Sequence, residues 1–175
     1  MFRILAKIIY MLTNQQERES ADYFWKIYSK VKSATSKGTR NLYGCILHNL
    51  FLVYGANIPI ETEFEGYPTL PHGINGVFIS QGAKIGAGCT IFHQVTIGSN
   101  MLKDSKGYGA PQIGRNVYIG AGAKIIGNIK VGNNCRIGAN CVVTQDIPDN
   151  ATVVLSEARI ILHHETRNNE FQKFV

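Results

Sequence analysis

From Val77 onward the apolar residues recur with a period of six. Ile79, Ile85, Ile91 and Ile97 keep that spacing, and after a gap it resumes through Ile113, Ile119, Ile125, Val131, Ile137 and Val143. Two residues before each stand Val77, Ala83, Cys89, Val95, Pro111, Val117, Ala123, Ile129, Cys135 and Cys141, all small or compact. Positions two apart share one side of an extended strand, so both members of each pair point inward. Such a hexapeptide builds a short flat strand and a turn, and three of them close a triangular coil of eighteen residues. The predicted fold is mainly β, a parallel β-helix in which each coil is stable only against its neighbours. Gly follows six of the ten aliphatic positions (Gly86, Gly98, Gly114, Gly120, Gly132 and Gly138) and is expected to supply turn conformations that a Cβ penalises.

Between Ile97 and Ile113 lie fifteen residues where the register allows five. An extruded loop over 99–112 is therefore expected, and solenoid insertions commonly map to a functional face. Upstream of the repeats the pattern changes to helical spacing. Phe2, Leu5, Ile8, Ile9 and Leu12 share one helical face, and Tyr23, Phe24, Ile27 and Val31 another, in a helix over about 17–31. Residues 33–38 form a loop by composition, and Leu42 to Val53 form a third helix ending near Gly55. Three parts result: an N-terminal helical segment over 1–55, a β-helix domain over 56–160, and a C-terminal tail over 161–175.

A chain of 175 residues with 45% hydrophobic and 17% charged residues suits one globular domain. Its formal net charge of +6 suits an anionic ligand but shows no basic run, so nucleic acid is not expected as a partner. No apolar run is long enough to span a bilayer, and the N-terminus makes a poor signal peptide. A cytoplasmic location is expected, with a peripheral contact at the inner membrane face, through an amphipathic, slightly basic helix of the N-terminal segment, as the alternative to plain packing of its aromatics. The four cysteines show no CxxC and no metal spacing, and three of them occupy inward slots. They read as buried hydrophobes rather than nucleophiles. No HxxxxH spacing supports a three-histidine metal centre of the γ-carbonic anhydrase kind, so no metal is expected.

The segments PHGINGVFIS, AKIGAGCTIFHQVTIG and APQIGRNVYIGAGAKIIGNIKVGNNCRIGANCVVTQDIPDN resemble the hexapeptide-repeat acyltransferases. Within that family they are similar to the serine acetyltransferase branch and to the related O-acetyltransferases of surface polysaccharide synthesis, over roughly 57–160. The resemblance implies a left-handed β-helix, a homotrimer, and acetyl-CoA lying in a groove between neighbouring subunits. It also implies that His72 removes the proton from the acceptor hydroxyl, and that the turn backbones at Ala121 and Ala139 meet the pantetheine arm. The CoA phosphates would then meet Lys124, Lys130, Arg136 or Arg159, since ammonium and guanidinium groups both suit phosphate.

Four positions depart from the serine enzymes. Asn57 stands where they place the aspartate that orients the histidine. Gly109-Ala110 precede Pro111 where they carry a basic residue and a histidine for the serine carboxylate. The closing turn reads Leu155-Ser156-Glu157-Ala158-Arg159, and the helical segment is short. Together these predict an acetyl-CoA-dependent O-acetyltransferase acting on a sugar hydroxyl of a surface polysaccharide or its precursor, with serine O-acetylation in cysteine biosynthesis as the alternative. Direct transfer needs a general base, and a neutral imidazole fits, its ordinary pKa being near ~6.5. His72 is that base, with Asn57 as its partner. His93, twenty-one residues on and close to one coil away, is expected with Tyr108 of the loop to bind the acceptor.

Overall fold

The computed structural model describes residues 21–157, 159–164, 166 and 167. Among the described residues two helices lead into the solenoid: α1, Ala21–Lys32, and α2, Lys37–Tyr54. The expected helix through Phe2 and Leu12 lies outside the described residues; in α1 the aromatics Tyr23, Phe24, Trp25 and Tyr28 are buried, which is the packing reading. The helix expected to start at Leu42 starts at Lys37, because Ser36 caps it: its Oγ accepts the Thr39 N–H at 3.1 Å. Ser and Gly at 33–38 thus mark a cap and a first turn, not a loop running to Gly38. Gly55, at φ 55°, ends α2 in the left-handed conformation and donates its N–H to Phe51 O. No helix among the described residues is long and apolar enough to cross a membrane.

Twelve short strands follow, all paired in parallel: β1 Glu63–Phe64, β2 Phe78–Ile79, β3 Lys84–Ile85, β4 Thr90–Ile91, β5 Thr96–Gly98, β6 Gln112–Ile113, β7 Tyr118–Ile119, β8 Lys124–Ile126, β9 Lys130–Val131, β10 Arg136–Ile137, β11 Val142–Val143 and β12 Thr152–Val153. They form three four-stranded sheets: A (β2, β5, β8, β11), B (β1, β3, β6, β9) and C (β4, β7, β10, β12). Bridges from Asn57 to Phe78, Thr69 to Thr90 and Val131 to Ile147 complete the first and last coils. The chain visits the sheets in the order A, B, C on every turn, giving five coils.

All ten aliphatic repeat positions and all ten compact ones are buried. An Ile at 0–4% exposure contributes roughly 1.5–3 kcal/mol of burial, so the axial stack is the main source of stability. Cys89, Cys135 and Cys141 lie in this core at 1% exposure each.

The glycines after the aliphatic positions are required for a different reason than the one expected. The left-handed backbone positions fall instead at Gly76, Gln94, Gly122 and Asn140 between sheets C and A, and at Gly88, Asn116, Asn134 and Asn150 between B and C. Gly86, Gly114, Gly120 and Gly132 are where adjacent coils come closest: a Cβ on Gly86 would lie 2.5 Å from Gly114 O, and one on Gly120 2.7 Å from Ala139 N.

The helices cover the first coil. Trp25 Nε1 donates to Pro68 O at 3.0 Å, Tyr28 Oη to Pro59 O at 2.6 Å, and Trp25 stacks on Tyr67 with centroids 4.5 Å apart. Tyr28 is fully buried, and that burial raises its phenol pKa, keeping it a neutral donor. Capping of this kind keeps an exposed solenoid end from pairing with another chain.

Candidate active site

From β2 to β5, β6 to β9, β7 to β10 and β8 to β11 the register advances by eighteen residues, but Asn57 pairs with Phe78 and Thr69 with Thr90, an advance of twenty-one. The three extra residues fall between sheets C and A, in the turn Leu70–Gly76, and His72 rides on this excursion. The Asn75 amide holds the turn by donating to His72 O at 2.7 Å. One coil on, the same edge carries Phe92-His93-Gln94. Gly122 N–H donates to His93 O at 3.0 Å and Asn140 N–H to Ala121 O at 2.8 Å, so His93, Ala121 and Ala139 stack along one edge above His72.

The two imidazoles touch. His72 Nδ1 lies 2.7 Å from His93 Nδ1, with ring centroids 4.8 Å apart. Phe92 presents itself at 87° to the His72 ring, 5.3 Å between centroids, and packs against Tyr118. His72 is exposed and His93 half-buried. Beside His72 opens a cavity of about 300 Å³ lined by Tyr54, Pro71, His72, Gly73 and Asn75. A larger groove of about 1080 Å³ runs along sheet B, but its charges are partly consumed in the pairs Lys84–Glu63 and Arg115–Glu65, and it holds no histidine. Of the two, the smaller cavity is the one that a histidine lines.

The remaining candidates are dispersed. Asn57 sits in the sheet A ladder, and no hydrogen bond joins its side chain to His72. Lys124, Lys130 and Arg136 are six residues apart and therefore stand on sheets A, B and C in turn. Only Lys124 borders the histidine edge, its Nζ donating to Gln94 O at 2.6 Å. Arg159 is exposed beyond β12. Tyr108 is exposed on the extruded loop, which leaves between sheets A and B and closes through paired hydrogen bonds between Asn100 and Gly109. One face of six extended residues, roughly 15–20 Å, separates that edge from His72. Sequence reasoning missed Phe92, Tyr54 and Asn75. The one signal within reach was the twenty-one-residue interval between the histidines, three more than a coil. Among the described residues no group of three or more His, Cys, Asp or Glu is placed to hold a metal ion.

Residues 110–145 match the family described as bacterial transferase hexapeptide (six repeats), a match that lies within the three-sheet parallel solenoid. The relatives it is similar to are named serine acetyltransferases. The chain is 44% identical to that of Helicobacter pylori over 92 residues, covering 53% of this chain and 52% of the relative. Among solved structures it is similar to serine acetyltransferase isoform 3 of Entamoeba histolytica in complex with cysteine, at TM-score 0.66 and 32% identity, covering 83% of this chain and 51% of that one. The serine acetyltransferase of Brucella abortus in complex with coenzyme A superimposes at TM-score 0.64 and 29% identity, covering 81% and 55%. The chain thus spans about half the length of the relatives it matches.

These relatives overturn the expected saccharide acceptor and the expected role in polysaccharide synthesis. The structure explains why the sequence misled. Gly109, at φ 130°, forms the foot of the loop, and a Cβ there would lie 2.9 Å from Asn128 Cβ. Its lack of charge is a packing requirement and says nothing about the acceptor.

Proposed function

We propose that the chain is an acetyl-CoA-dependent serine O-acetyltransferase, with His72 as general base. The observation that carries this reading is an exposed imidazole beside a small cavity, on the edge it shares with the turns at Ala121 and Ala139. The serine hydroxyl attacks the thioester carbonyl as Nε2 of His72 takes its proton. The C–S bond breaks, the C–O bond is made, and the proton passes to the departing thiolate. Positioned base catalysis of this kind contributes ~10²–10⁴-fold. The stacked turns at Ala121 and Ala139 suit a pantetheine arm, because they line the same edge, and Lys124 suits a phosphate beside it.

The working unit is a homotrimer, which is closed and gives three equal sites. Supporting this, Tyr108 and His72 stand on opposite edges of sheet A, so the loop serves a neighbour's site more readily than its own. Serine-dependent release of free thiol from acetyl-CoA tests the activity, and His72→Ala should lower turnover by about two to four orders of magnitude with little change in acetyl-CoA affinity. Thiol release that is absent with serine, or unchanged without His72, refutes the reading, and light scattering showing an active monomer refutes the trimer.

A further inference from the structure

We propose that His93 is the positioning residue of this reaction, accepting the Nδ1–H of His72 on its own Nδ1 and so leaving Nε2 of His72 bare as the base. The inference rests on the reading of His72 above. A neutral imidazole carries one N–H and one lone pair. A bond between two Nδ1 atoms at 2.7 Å therefore requires the rings to be opposite tautomers, one protonated at Nδ1 and the other at Nε2. If His72 carried its proton on Nε2, that nitrogen could not receive the hydroxyl proton. The productive arrangement is the one in which His72 donates and His93 accepts.

The backbone decides which ring is the fixed one. His93 lies on a regular coil: Gly122 N–H donates to its carbonyl, and the next residue, Gln94, donates its N–H to Asn75 O at 2.8 Å. His72 lies on the three-residue excursion and is the more exposed ring. A half-buried imidazole anchored to neighbouring coils thus holds an exposed one, which also packs against the Phe92 ring. Once His72 has taken the proton it is a cation, and its Nδ1–H bond to His93 becomes charge-assisted, roughly twice as strong as a neutral one. His93 consequently favours the charged stage of the reaction over the resting one, as a carboxylate partner does elsewhere. Asn57, whose side chain makes no hydrogen bond to His72, does not perform this role.

Two measurements on the full-length protein test the assignment. Nitrogen-15 spectra of histidine-labelled protein, assigned with His72→Gln, should show His72 protonated at Nδ1 and His93 at Nε2. Finding His72 as the Nε2–H tautomer overturns the proposal. This readout needs no turnover, so it stands or falls separately from the serine reading. In the assay, His93→Ala should lower kcat about 10- to 100-fold with KM for serine and acetyl-CoA near wild type. His93→Asn, whose amide oxygen can accept the same N–H, should recover part of that loss. A His93→Ala effect confined to the KM for serine makes His93 a substrate contact, and a loss of kcat that Asn does not relieve at all rejects the accepting role.

Discussion

Replacing Gly86 by Ala tests why the repeat needs glycine. Gly86 does not have a left-handed backbone, yet an added Cβ would stand 2.5 Å from Gly114 O, 2.6 Å from Gly114 C and 2.8 Å from Arg115 N. These are backbone atoms of the next coil and cannot swing aside. The coils must part locally by several tenths of an ångström or more, straining the ladder bond from Gly86 N–H to Ile113 O, now 2.9 Å. Overpacking costs about 1–3 kcal/mol and a weakened hydrogen bond about 1 more, so Gly86→Ala should destabilise by roughly 2–4 kcal/mol. Gly88, two residues on, makes the control. Its φ is 74°, but a Cβ there would meet Asn116 only at 3.8 Å, so Gly88→Ala carries just the left-handed penalty of about 1–2 kcal/mol. Gly88→Asn should cost less still, because the stacked positions Asn116, Asn134 and Asn150 already hold that conformation and link amide to amide at 2.9 and 3.2 Å. Urea unfolding at fixed protein concentration, followed through the single tryptophan Trp25, should place the Gly86→Ala midpoint about 1 M or more below wild type and below both Gly88 variants. A Gly86→Ala midpoint at or above that of Gly88→Ala would show that backbone conformation, not coil spacing, is what glycine supplies.

Two further outcomes are expected. Of the four thiols, Cys45 alone is exposed, and burial pushes the Cys89 thiol pKa up, so a disulfide reagent should titrate one thiol rapidly in the native protein and four after unfolding; rapid native reaction of Cys89, Cys135 or Cys141 contradicts the packing. The Arg115 guanidinium at 2.7 Å holds the Glu65 carboxyl below the usual carboxylate range, so the pair's contribution is present above the unfolded-state value and lost as pH falls through the folded one. Wild type and Glu65→Gln should therefore differ in unfolding midpoint at pH 7 and converge in acid, and a gap that widens in acid reverses the argument.

The core was legible because burial in a solenoid is periodic. Each aliphatic and compact position follows from a spacing of six, and even the ten-residue excess of the loop is a matter of counting. Three kinds of information were not legible. Ser36 caps α2, but as one residue in a polar stretch it reads as loop. The basic residues Lys124, Lys130 and Arg136 look like one cluster in sequence, yet a period of six sends each to a different sheet. And Gly109 looks like a missing charge until the loop's approach to Asn128 is seen. Only the last turns on a contact far along the chain; Ser36 acts on Thr39, three residues on, and the solenoid period itself parts the basic residues.

The site itself sits where the periodicity breaks. A coil of eighteen residues fixes every outward side chain at one register and stacks identical corners, as the amide ladder Asn116–Asn134 shows. Three added residues between Thr69 and Phe78 lift the chain off that register, and His72 then meets the His93 ring of the coil above. The second break, between Gly98 and Gln112, releases a loop from the far edge of the same sheet. Deleting Pro71, Gly73 and Asn75, which spares His72 and the buried Leu70 and Ile74, should therefore restore an eighteen-residue first coil, preserve the buried stack and the helix contacts at Pro59 and Pro68, and abolish the Nδ1–Nδ1 bond together with turnover. Circular dichroism and an unfolding midpoint near wild type, with thiol release reduced to the level of His72→Ala, is the expected combination. Retained turnover in a well-folded deletion variant would mean that the excursion is tolerated length and that the chemistry lies elsewhere.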